Sequence, residues 1–91
     1  MEVKMDKQSV LDKKVFFMNN KDKLFNFTVS EYDAKVGGQK IRNYRGWGIW
    51  RVGVVQEGPH GFYFALEIVS PKGKRHLICS HGFQNVEMLK N

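Results

Sequence analysis

Arginines and aromatic rings interleave between Arg42 and Arg51, where Arg42, Tyr44, Arg45, Trp47 and Arg51 follow one another with no acidic residue between them. That mixture suits a single-stranded nucleic acid, because guanidinium groups neutralise phosphates while flat rings stack on unpaired bases. Lys72, Lys74 and Arg75 supply a second basic edge in a later turn. These eight residues form the candidate nucleic-acid-binding set, for RNA or DNA, and they call for no cofactor. Arg and Trp also anchor protein interfaces. The alternative partner is therefore an acidic protein surface, met by a small binding module or inhibitor of the kind phages and other mobile elements encode.

Other reactive residues form no comparable set. His76, Cys79 and His81 resemble a metal fragment, but on a strand His76 points to the opposite face from residues 77, 79 and 81. Structural zinc also needs four ligands, and Cys79 is the single thiol, so no metal site is assigned. Cys79 reads as a small apolar side chain of the core. A small basic ribonuclease would use a histidine for proton transfer and a cation for developing charge. His60 and His81 fall in turns where they could act, yet neither has a neighbouring acid to fix its tautomer. No catalytic residue is named, and the expectation is a binding protein rather than an enzyme. Gly46-Trp47-Gly48 lacks the third glycine of a dinucleotide fingerprint and the Lys and Ser or Thr of a P-loop. Its glycines suit a bulge or a close backbone approach in a bent strand.

The elements that position these residues are read from hydrophobic periodicity. Phe62, Phe64, Leu66 and Ile68 alternate with Tyr63, Ala65, Glu67 and Val69, the clearest two-residue period in the chain. Gly58, Pro59 and Gly61 supply a turn before it. Ile49 to Val69 is thus predicted to be the central hairpin. If Trp50, Val52 and Val54 pack inward, Trp47 and Arg51 face outward together. The opposite register exposes Trp50 and buries Trp47, Ile49 and Val55, but it also buries Arg51, which is costly without a partner. Trp47 therefore stays open between surface platform and core.

Upstream, Val15 to Met18 is a continuous apolar run that reads as a short buried strand, paired through a five-residue turn with Leu24 to Ser30. Glu31 to Gln39 loses its apolar rhythm and ends in two glycines, the mark of a loop. Ile41 to Gly46 reads as an irregular, positive and site-like loop. Residues 1–14 are expected to form a flexible arm and 15–91 a single β-domain. Downstream come a turn at Ser70 to Lys74, a strand at Arg75 to Ser80, and a final strand or helical turn at Phe83 to Leu89.

Composition sets the bounds. Ninety-one residues make one domain with one modest core. The net charge is +6. Residues 1–23 are nearly balanced, whereas residues 35–56 hold five cations and no acid, and all four arginines lie in the two basic segments. Such segments can merge into one positive face. The single cysteine suggests a reducing compartment, and residues 1–10 are too polar for a signal peptide, so a cytoplasmic protein is expected. No apolar run is long enough to span a membrane, and no membrane association is anticipated. An unpaired edge strand leaves a homodimer open.

Through Trp50-Arg51-Val52-Gly53-Val54-Val55, the hairpin that follows and the basic turn, about half of the chain resembles small five-stranded SH3-like barrels, including KOW and Tudor-type modules. The resemblance implies an all-β fold, an SH3-like barrel or strongly bent antiparallel sheet of five to six strands. It matches no motif residue by residue, and it carries over no function.

Overall fold

Phe25, Phe27 and Val29 alternate with polar residues, and all three are buried to within 1% of their surface. They anchor β1 (Phe25–Asp33) in a mostly β structure. The computed structural model describes residues 6–90. Its other elements are α1 (Lys7–Asn19), β2 (Gly38–Val52), β3 (Gln56–Gly58), β4 (Gly61–Tyr63), β5 (Ala65–Val69), β6 (Arg75–Cys79), a 3-10 turn at Ser80–Gly82, and β7 (Phe83–Met88). One antiparallel sheet runs in the order β6-β5-β2-β1-β7, and β3 and β4 form a separate two-stranded ribbon.

The sheet is not closed into a barrel, because β6 and β7 remain its two edges. It is nevertheless strongly curled. Cys79 ends one edge strand and Phe83 begins the other. Four residue steps reach at most about 14 Å, so the opposite edges must approach each other at that corner. Buried Ser80 fastens the corner to Phe64, the residue before β5: its N–H donates to the Phe64 carbonyl, and its Oγ accepts from the Phe64 N–H, both at 3.0 Å. Gly82 passes so close to β1 that a Cβ there would lie 2.8 Å from the Ser30 carbonyl oxygen.

The predicted central hairpin is present. β2 pairs with β5, with Ile49 opposite Ile68, and Phe64, Leu66 and Ile68 are fully buried. The ribbon β3–β4 forms its tip, with Gly58 opposite Gly61.

Four expectations are corrected. Val15 to Met18 is not a strand but the last part of α1. The Asp6 side chain accepts from the Ser9 N–H at 2.8 Å and caps the first turn, which also holds the Asp6 carboxyl below its ordinary range. Val10 and Phe17, seven residues apart, then face the sheet together, at 1% and 2% exposure. Residues 7–14 therefore form helix rather than flexible arm, and residues 1–5 and 91 lie outside the described residues. Phe17 is surrounded by Phe25, Phe27, Phe64 and Phe83, with ring centroids 5.6–6.1 Å away. Apolar stacking of that extent outweighs the strand propensity of a four-residue run.

The Glu31 to Gln39 loop shrinks to the turn between Asp33 and Gly38, and the positive Ile41 to Gly46 segment is not a loop but part of strand β2, irregular only at Arg45-Gly46. Cross-strand polar pairs replace the missing apolar rhythm there. Arg42 bonds Glu31 at 2.9 Å, Lys40 approaches Asp33 at 4.0 Å, Thr28 meets Asn43 and Ser30 meets Gln39.

Candidate functional site

Two irregularities in β2 decide which residues reach solvent. The first lies at Arg45-Gly46, where Tyr44 opposes Phe27 and Trp47 opposes Phe25, so two β2 residues stand against Asn26. Gly46 takes φ of +70°, a left-handed conformation that suits glycine. Its N–H donates to Asn26 Oδ1 at 2.9 Å. Tyr44 and Trp47, an odd number of residues apart, thereby share the inner face.

The second irregularity lies at Trp50. Ile49 opposes Ile68 and Arg51 opposes Glu67, so Trp50 is the extra residue. Ile49 points into the core at 6% exposure, Arg51 points out, and Trp50 is 51% exposed. The sequence had posed a choice between exposing Trp47 and burying Arg51. The bulge removes that choice and divides the register that packed Trp50, Val52 and Val54 inward: Val52 is half-buried against the core, opposite Leu66, whereas Trp50 and Val54 are exposed.

The eight predicted residues consequently divide. Tyr44 is buried at 5% exposure, and its hydroxyl lies 3.2 Å from His76 Nδ1. Burial, with the Glu31 charge second, pushes its phenol above the ordinary value of 10.0. Trp47 is half-buried, edge-on to Tyr44 with centroids 5.1 Å apart and 5.6 Å from His76. These two rings brace the sheet from within and offer no open stacking platform. Arg42 is drawn to Glu31 on the same inner side.

The remaining five predicted residues lie outward or on a turn. Arg75 alternates with inward His76, and its guanidinium lies 4.8 Å from the Trp50 ring centroid. Arg51 is exposed, with Glu67 Oε1 at 3.9 Å. Lys72 and Lys74 are exposed on a turn closed by Ser70, whose Oγ accepts from the Lys74 N–H at 3.0 Å. Exposed Leu77 completes this outer face of β2, β5 and β6. Arg45 also points outward, beside β1 and β7. Trp50 is the site residue that the sequence reading omitted. The signal available was the parity conflict at Arg51, which a single inserted residue resolves.

His76 and Cys79 do face opposite sides of β6. Cys79 is half-buried beside Ala65 on the outer face rather than in the core. Its Sγ lies 3.9 Å from His81 Nε2, and His81 stacks on Tyr63 with centroids 5.4 Å apart. Burial pushes the thiol above its ordinary range, which disfavours the thiolate. Among the described residues, no three His, Cys, Asp or Glu side chains gather as a metal site, and no helix is long and apolar enough to cross a membrane.

Comparison with family models, with curated proteins and with solved structures found no match.

Proposed function

We propose that this chain is a non-enzymatic nucleic-acid-binding domain that takes an RNA or DNA strand on its outer sheet face. The observation that carries the reading is the half-exposed Trp50 ring with the Arg75 guanidinium over it, beside Arg51 and the Lys72–Lys74 turn. In this mechanism a base stacks on Trp50, worth about 1–3 kcal/mol. Arg51, Lys72, Lys74 and Arg75 neutralise phosphates, and Arg45 extends the track along β2. Arg42, Tyr44 and Trp47 leave the contact set and support the face from behind. A meander of four strands whose fifth returns beside the first supports reading the sheet as SH3-like. The single cysteine supports a cytoplasmic setting.

Fluorescence anisotropy of labelled single-stranded RNA, single-stranded DNA and duplex DNA, at low and near-physiological salt, tests this. Binding by at least one ligand is expected, with Trp50→Ala weakening it and Arg75→Ala lowering the log–log salt slope by about 0.7 for a single strand. Absence of binding to all three at low salt overturns the reading. Exposed Leu77 and Val54, at 64% and 66%, favour a second reading in which the same face docks on an acidic protein surface. A second copy of the chain, paired along the β6 or β7 edge, belongs to that reading too.

A further inference from the structure

Between β1, β2 and β7 the outer surface holds a polar cleft of about 110 Å³ lined by Asn26, Thr28, Asn43, Arg45, Asn85 and Glu87. Register explains the gathering: Thr28 faces Asn43 on one side and Asn85 on the other, and Asn26 faces Glu87. Two of the amide oxygens are already engaged. Thr28 Oγ1 donates to Asn43 Oδ1 at 3.1 Å, and the Gly46 N–H donates to Asn26 Oδ1 at 2.9 Å. An amide whose oxygen is held this way has its NH2 left to donate. With the Arg45 guanidinium, the cleft thus offers several donors and one carboxylate.

A phosphate would suit the donors, but Glu87 repels it. The matching ligand presents acceptors together with two adjacent N–H donors, since a carboxylate accepts two parallel hydrogen bonds. Among the bases this is guanine, with O6 and N7 as acceptors and N1–H and the N2 amine as donors. Adenine and cytosine each present one exocyclic amine without the adjacent ring N–H, and uracil presents one ring N–H between two carbonyls.

We infer that this cleft is a guanine subsite of the nucleic-acid face, with Glu87 accepting from N1–H and N2–H and Arg45 donating to O6. The inference rests on the proposed function. Arg45 and Trp50 are five residues apart on β2, about 16 Å at 3.3 Å per residue, so one strand reaches both a few nucleotides apart.

Anisotropy titrations with a labelled 12-nucleotide all-uridine RNA, and with versions carrying one central guanine, adenine or cytosine, test it. The guanine-containing strand should bind about tenfold more tightly than the others, within what a bidentate base contact contributes. Glu87→Gln should abolish that advantage while leaving all-uridine binding equal or stronger, with an unchanged melting temperature. Equal binding of all four strands, preference for adenine or cytosine, or equal weakening of every strand by Glu87→Gln overturns the guanine subsite and leaves the nucleic-acid reading intact. Binding of none of them overturns the subsite, and the broader reading falls as well if single-stranded DNA and duplex DNA also fail to bind.

Discussion

The Arg75 guanidinium lies over the Trp50 ring, 4.8 Å from its centroid, and joins edge strand β6 to the bulge of β2. At a half-exposed site such a cation–π contact contributes about 0.5–1 kcal/mol. Trp50 is therefore an affordable loss for the fold. Trp47, packed on Tyr44 and His76, is not. Trp50→Ala should lower stability by about 1 kcal/mol or less, whereas Trp47→Ala should cost about 2–4 kcal/mol. Urea unfolding followed by circular dichroism separates the two, and the reverse ranking would show that the register of β2 is misassigned.

Phe17 ties α1 to the sheet. Phe17→Ala should cost about 3–5 kcal/mol, a large part of the 5–15 kcal/mol that a domain commonly has. Neighbouring Phe16, 43% exposed, should cost much less on the same change. Equal destabilisation by both in thermal melts would contradict the helix orientation.

Gly46 has φ of +70°, and its N–H is bonded to Asn26 Oδ1. Gly46→Ala forces a side chain into the left-handed region, at a cost of about 1–2 kcal/mol. Asn26→Ala removes the acceptor and should cost about 1 kcal/mol. Because both act on one bulge, the double variant should lose less than the sum. Strict additivity in urea titrations would mean that the bulge does not depend on this bond.

Tyr44 titrates above 10.0 in the folded chain because burial, and then the Glu31 charge, disfavours the phenolate. A raised value stabilises the fold below the unfolded pKa, and that contribution is lost as pH rises through the folded value. Stability should thus fall as pH rises above about 10 more steeply in the wild type than in Tyr44→Phe. The substitution should also cost about 1 kcal/mol at neutral pH through the lost His76 contact. Parallel pH profiles for the two proteins would refute the assigned burial of Tyr44.

Much of the β framework was legible in the sequence. Alternation marked Phe25, Phe27 and Val29 and the Phe64, Leu66 and Ile68 row, because a half-buried strand must segregate its side chains every second residue. Glycine and proline marked the turn at Gly58 to Gly61 and the turn at Ser70 to Lys74, where the backbone must reverse. The basic residues were legible too, but not their grouping. Arg42, Tyr44 and Trp47 were grouped with Arg51, whereas the fold packs Tyr44 and Trp47 inward and ties the exposed Arg42 to Glu31.

What the sequence by itself determined was therefore local: strand periodicity, turn chemistry and an excess of positive charge between residues 35 and 56. Only the tertiary structure decided the rest. Phe17 makes Val15 to Met18 helical because Phe25 and Phe27 of β1, Phe64 and Phe83 of β7 surround it, a gain that no local pattern records. The bulges at Gly46 and Trp50 each shift side-chain parity by one residue, so every position beyond them changes face. Whether a bulge forms depends on the partner strand, here Asn26 accepting from Gly46 and the Ile68–Glu67 step facing Ile49 and Arg51. That dependence is why the exposed tryptophan is Trp50.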